Sequence, residues 1–265
     1  MTSCLTDIQG LLADPDWVLA HFTLAADLTS LREECRFARS GEAVMARYLG
    51  LPFAALAFLG DEAGLLADLA SRLVDSDERF YLLLNERQAR LAEQAFVVKE
   101  VDPEWQMLFE AGSAAPLDPG SAVRLGPGDL AQMRDLAADA GLMALEADPF
   151  RIGPAFGVWD GERLVSLAST RTRVPGAVEI GNIAVRTTHR RQGFGRQAVS
   201  ALVHAHTADA HTADACAADA CAAEREQRVF LMVFQSNRAA IRLYEGLGFV
   251  RQRRMFLLRC RLGAG

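Results

Sequence analysis

Lysine is almost missing from this chain of 265 residues: Lys99 is the only one, and arginine carries the rest of the basic charge. With so strong a bias, no arginine identifies an anion clamp without its context. The net charge of −6 weighs against a nucleic-acid partner, because phosphate contacts need a clustered basic face. No apolar run approaches membrane-spanning length, so no membrane partner is expected. Near the start Asp7, Asp14 and Asp16 interrupt what apolar character there is, and no secretory signal is read. Cys4, Cys35, Cys216, Cys221 and Cys260 form an odd, scattered set without disulfide-scaffold spacing. A reducing, cytoplasmic location is the resulting expectation.

What is present suffices for folding: 51% of residues are hydrophobic and 23% charged, and the length allows two cores. Residues 16–95 read as mainly helical, with Leu65, Leu66, Leu69, Leu73 and Val74 recurring at spacings of three and four. Within that stretch, residues 79–84 form a compact apolar run, Asn85 can cap a helix through Gln94, and residues 96–98 read as a short strand. The N-terminal half is therefore expected to be mixed α and β. Residues 111–120 gather small residues, glycine and proline in the manner of a linker. They divide the chain into an expected domain 1–120 and a second, 121–265.

In the second domain residues 122–125 alternate like a strand, and Asp129 can cap a helix bearing Leu130, Met133, Leu136 and Ala137. Two strands flank the turn dipeptide Asp160-Gly161. After a turn at Val174-Pro175-Gly176 a third strand spans residues 178–185, with Gly181-Asn182 placed for a β-bulge. Next come Arg190, Arg191, Gln192, Gly193, Phe194, Gly195 and Arg196, and then a helical pattern. A glycine-rich loop at a helix start points unpaired N–H groups at one spot, and the helix dipole adds positive potential there. A pyrophosphate fits such a site. The same text satisfies the dinucleotide fingerprint Gly-x-Gly-x-x-Gly/Ala, but residues 186–192 separate strand from glycine, and Asp214, at the right offset for the acidic partner, lies in repeat text.

A second constellation follows an apolar strand at residues 229–234: Asn237, Ala240, Leu243, Tyr244, Gly248 and Phe249. Asn237 or Ser236 can cap a helix, and Ala240 and Tyr244 lie one turn apart on it. Taken alone, a tyrosine at helical spacing beside Leu243 and Leu247 is more often core than catalyst.

Arg190, Gly193 and Gly195 match the Gln/Arg-x-x-Gly-x-Gly/Ala signature of the GNAT acetyltransferase superfamily, and the later segment matches its Asn-x-x-Ala-x-x-Leu-Tyr-x-x-x-Gly-Phe pattern at every named position. Residues 122–260 resemble that superfamily. The resemblance implies a mixed central sheet flanked by helices, preceded here by a mixed α/β half compatible with a degenerate GNAT-like domain. It implies acetyl-CoA or another acyl-CoA as cosubstrate and a primary amine of a small molecule or amino-acid-like acceptor. Backbone of Ile183, Ala184 and Val185 would hold the pantetheine arm and the loop the pyrophosphate, while Tyr244 would protonate the departing thiolate. Glu179 is the candidate for deprotonating the amine, with a solvated strand-face role as the competing reading. His189 has no catalytic role assigned. A non-enzymatic acyl-CoA-binding module is the alternative, a nicotinamide-dependent oxidoreductase the third reading, and a homo-oligomer stays open.

Residues 206–223 hold a degenerate five-residue repeat with His206, His211, Cys216 and Cys221. A five-residue step rotates about 140° on a helix, which scatters ligands around it, so no metal is expected. The repeat reads as a helix extension or loop.

Overall fold

The structure is a computed structural model that describes residues 3–112, 116–142, 145, 148–212 and 227–263. The chain forms two compact units, Met1–Gln106 with Gln252–Gly265, and Met107–Arg251. The linker-like residues 111–120 lie inside the second unit, and the last fourteen residues count with the first. Its elements in order are α1 (Ser3–Leu12), α2 (Pro15–Ala20), α3 (Phe22–Leu28), β1 (Cys35–Ser40), β2 (Ala43–Tyr48), β3 (Ala54–Leu59), α4 (Ala63–Ser71), β4 (Phe80–Asn85), α5 (Glu86–Ala95) and β5 (Val97–Phe109). Then come β6 (Val123–Arg124), α6 (Leu130–Ala140), β7 (Ala155–Asp160), β8 (Arg163–Val174), β9 (Ala177–Val185), α7 (Phe194–Thr212), β10 (Arg228–Phe234), α8 (Arg238–Glu245) and β11 (Phe249–Arg261). The class is mixed α+β. No helix among the described residues is long and apolar enough to cross a membrane.

In the first unit β1, β2 and β3 are antiparallel, β3 pairs with β4 in parallel, and β4 pairs antiparallel with β11. The mainly helical reading of residues 16–95 is corrected here, since three strands occupy Cys35–Leu59. Gly41, at φ +58°, closes the β1–β2 hairpin, and in β2 Val44, Met45 and Ala46 are all buried. A strand covered on both faces loses its alternation and cannot be told from a buried helix by periodicity. The later expectations hold in part: α4 buries Leu66, Leu69 and Ala70 but ends at Ser71, before Leu73 and Val74, and the short strand read at residues 96–98 is the start of the longer β5, Val97–Phe109. Asn85 caps α5, its carbonyl accepting the Gln88 N–H at 3.0 Å.

Asp27 on α3 is buried next to Cys35, whose thiol bonds its carboxyl, and burial pushes its pKa from an ordinary 3.8 up to about 7. Between these values the unfolded chain ionises while the folded one keeps its proton, so stability falls as pH rises from about 4 through 7. A shift of that size corresponds to about 4 kcal/mol. Asp27→Asn, which cannot ionise, should flatten this slope in denaturant titrations and be more stable than the wild type at pH 8. A wild-type stability independent of pH over that window would contradict the burial argument.

In the second unit β6, β7, β8 and β9 form an antiparallel meander, and β10 lies parallel beside β9. Leu125, Met133, Leu136, Leu164, Leu167 and Ala184 form a core cluster between α6 and these strands. Two sequence expectations shift in detail. The hairpin turn is Gly161-Glu162, because Asp160 pairs with Arg163, and Asp129 takes the N-cap position of α6 but its carboxylate accepts the Gly126 N–H at 2.8 Å and no amide of the helix.

Candidate active site

The site begins with a strand that leaves its neighbour. In the β8–β9 ladder Leu167 faces Ala184 and Ser169 faces Gly181, so three steps along β9 match two along β8. The extra residue is a bulge at Asn182, which takes φ +48° and donates from its side-chain amide to Ser169 Oγ at 2.9 Å. On the other side, β9 pairs with β10 only from Ala177 to Glu179, ending at Phe230. Beyond that point the two strands form no ladder among the described residues, and the main chain of Ile183, Ala184 and Val185 borders the gap. Bulges bend strands and terminate pairing in this way.

At the end of β9, Arg186 is buried with its guanidinium on the Leu164 carbonyl at 2.8 Å and the Asp135 carboxylate at 2.5 Å. It fixes the strand end to α6 where the loop starts. Sequence reading missed this residue, and nothing in a lone arginine after a strand signals burial. The loop then turns through Arg191 at φ +63° and Gly193 at φ +87°. The Gln197 N–H makes the first helical bond, to the Gly193 carbonyl at 3.1 Å. Ahead of it, the N–H groups of Phe194, Gly195 and Arg196 have no acceptor among the described residues. A helix start with free amides and a positive dipole end suits an anion.

Side chains divide in role. Arg190, Arg191 and Gln192 are exposed, whereas Arg196 donates to the Gly246 carbonyl at the end of α8 at 2.9 Å. Arg196 therefore offers the loop its main chain only. A Cβ on Gly195 would stand 3.0 Å from Val185 Cγ2 and 3.6 Å from Leu243 Cδ2. That glycine lets α7 close on both β9 and α8. His189 bonds Asp160 at 3.2 Å and Thr188 at 2.8 Å.

On α8 the Asn237 carbonyl accepts the Ala240 N–H at 3.2 Å, so Asn237 is the helix cap. One turn beyond Ala240, Tyr244 is buried with its ring 6.0 Å from that of Phe249. Its hydroxyl has no hydrogen-bond partner among the described residues. Burial pushes this phenol above the ordinary range, so it stays protonated near neutrality and able to donate.

Glu179 sits where the β9–β10 ladder ends and is 2% exposed. The solvated strand-face alternative is thus corrected: it lies inside the unit. Burial raises its pKa, opposed by the Arg171 guanidinium, 3.6 Å from Oε1, and by a hydrogen bond from Thr172.

Helix α7 runs through Thr212 into the first copies of the repeat. His206 is buried, its ring nitrogen 2.9 Å from the Thr170 hydroxyl. Cys216 and Cys221 lie outside the described residues.

The FR47-like protein family model, a GNAT-related one, matches residues 155–257, which span the meander, loop and α8. A GNAT-family protein from Novosphingobium aromaticivorans DSM 12444 is 25% identical and superposes with a TM-score of 0.68 over 93% of this chain and 99% of its own. A GCN5-related N-acetyltransferase from Kribbella flavida is 15% identical, with a TM-score of 0.64 over 93% and 96% of the two chains. A tandem GNAT protein from the clavulanic acid biosynthesis pathway is 15% identical, with a TM-score of 0.60 over 97% and 96%. No curated protein matches the chain. Both units are covered by these likenesses in fold, and the second carries the GNAT-related signature as well: the C-terminal half of this chain is GNAT-like in sequence and in structure.

Proposed function

We propose that the chain is an acyl-CoA-dependent N-acyltransferase that moves an acetyl group from acetyl-CoA to a primary amine. The observation that carries this reading is the gap between β9 and β10 with a loop of free amides beside it. The loop at Arg190, Arg191, Gln192, Gly193, Phe194, Gly195 and Arg196 holds the pyrophosphate. The backbone of Ile183, Ala184 and Val185 binds the pantetheine arm, which places the thioester beside Tyr244. Asn237 and Ala240 support this arrangement by starting the helix that carries Tyr244.

The amine nitrogen attacks the thioester carbonyl, with Glu179 accepting its proton directly or through water. The tetrahedral intermediate then collapses, the C–S bond breaks, and Tyr244 protonates the departing sulfur, leaving amide and coenzyme A. The raised Glu179 pKa makes its carboxylate a stronger proton acceptor than a solvated one. No metal is assigned a role.

Acetyl-CoA at a hundred times its Kd should stabilise the second unit by about 2.7 kcal/mol, as any ligand of the folded state does. Pantetheine alone should do much less at equal concentration. Equal protection by the two would remove the pyrophosphate loop from the site. Coenzyme A binding without acyl transfer to any amine of a broad panel would instead favour a binding or sensing module.

A further inference from the structure

A second irregularity lies one step from the first and on the opposite strand. Thr170 faces Ile180 and Thr172 faces Glu179, so Arg171 is an extra residue of β8 with no partner on β9. Bulges re-aim side chains, and this one aims Arg171 across Gly181. A Cβ on Gly181 would stand 2.9 Å from Arg171 Cδ and 3.2 Å from its Cβ, so the glycine leaves the path open. Thr170 contacts His206 of α7, which places Thr170 and its partner Ile180 on the α7 face. Glu179, the adjacent residue, points to the other face, where the Arg171 guanidinium reaches it.

The pair is loose. Its 3.6 Å separation exceeds the roughly 2.7–2.9 Å of a direct charge-assisted bond. The arginine side chain is 49% exposed while the glutamate is 2% exposed. The glutamate is enclosed and the arginine reaches solvent, at the point where β9 parts from β10. A plain cationic amine meeting this pair would gain from Glu179 and be repelled by Arg171. An acceptor bearing both charges satisfies the two at once, and the repulsion then excludes the rest.

Building on the acyl-transfer reading, we infer that the amine acceptor carries a carboxylate beside its amino group, as an α-amino acid does, with Arg171 receiving the carboxylate and Glu179 facing the amine. Arg171 is here a specificity-determining residue. Its planar fork matches a carboxylate with two parallel hydrogen bonds.

The test compares amino acids with their own amides, which keep the amine and lose the negative charge. Wild-type kcat/KM should favour the free acids by about tenfold or more, as for one charge-assisted contact. Arg171→Met should erase that preference by raising KM for the acids alone, and Arg171→Lys should retain part of it. In a second arm, calorimetry of N-acetyl amino acids and N-acetyl amino amides with the coenzyme A-loaded protein should show the same preference in Kd. Equal treatment of acid and amide by the wild type would overturn the inference. So would an Arg171→Met variant that lowers kcat for both alike with a displaced pH profile, since Arg171 would then only be the counter-ion of Glu179. Coenzyme A binding with no acid preference would sink this inference alone, while absence of coenzyme A binding would take the acyl-transfer reading with it.

Discussion

Acetyl-CoA should bind Gly193→Val about ten- to a hundredfold more weakly than the wild type, with the fold retained. Gly193 sits at φ +87°, and a Cβ there would meet no protein atom within 4 Å. The protein itself therefore makes room for a side chain; the obstacle is the backbone, which a β-branched residue holds in this region only at a cost of about 1–2 kcal/mol. The loop would relax, turning the Phe194 and Gly195 amides away from their shared focus, and the valine methyls would occupy space that phosphate oxygens need. Gly176→Val is the matching control. It too has a positive φ, +69°, and open space around its Cβ, but it sits in the turn at the far end of β9. Both variants should lose similar stability in denaturant titrations and only Gly193→Val should lose affinity. Equal affinity losses in the two would reduce the loop effect to general strain.

Tyr244→Phe is expected to lower kcat by about a hundredfold or more when chemistry limits the rate, the usual contribution of a positioned proton donor, and to leave the Kd for acetyl-CoA unchanged. Structure makes this substitution unusually clean. The hydroxyl has no protein partner among the described residues, so its removal orphans nothing, and the ring keeps its place near Phe249. Because burial raises the phenol pKa, the donor should stay protonated as pH rises, and loss of its proton should not set the alkaline limb of the wild-type profile. Single-turnover rates across pH would decide. Wild-type turnover in the variant would return Tyr244 to packing alone.

The parts of the site that follow chain-local rules were legible in the sequence. Gly193 and Gly195 announce a tight loop before a helix, Asn237 announces a cap, and Gly181-Asn182 announces a bulge, because each acts within a few residues of itself. What escaped depends on which strands meet. Arg171 is an extra residue only relative to the Thr172–Glu179 pair, a fact of register that no local pattern encodes. The burial of Glu179 and Arg186 and the covering of β2 on both faces likewise arise from packing between distant segments. The first unit suffered most: β2 shows no alternation because both its faces are covered, although Gly41 before it and Gly50-Leu51-Pro52 after it mark turns. Residues 111–120 have the composition of a linker, yet composition cannot say which unit claims the end of the chain.

That end sets the order in which the molecule can be completed. Strand β11 pairs with β4 from Met255 opposite Asn85 to Cys260 opposite Phe80, and Leu258 and Cys260 belong to the core of the first unit. During translation at about 5–20 residues per second, that strand follows β4 by on the order of 10 s. Throughout the interval the ribosome-bound nascent chain exposes an unpaired edge of β4, whose Phe80, Leu82 and Leu84 later fill the core, and such edges invite pairing with other chains. The second unit, made later, has all its residues by Arg251. The first unit, begun before the second, thus closes after it, and the β4 edge is where the nascent chain is open to mispairing.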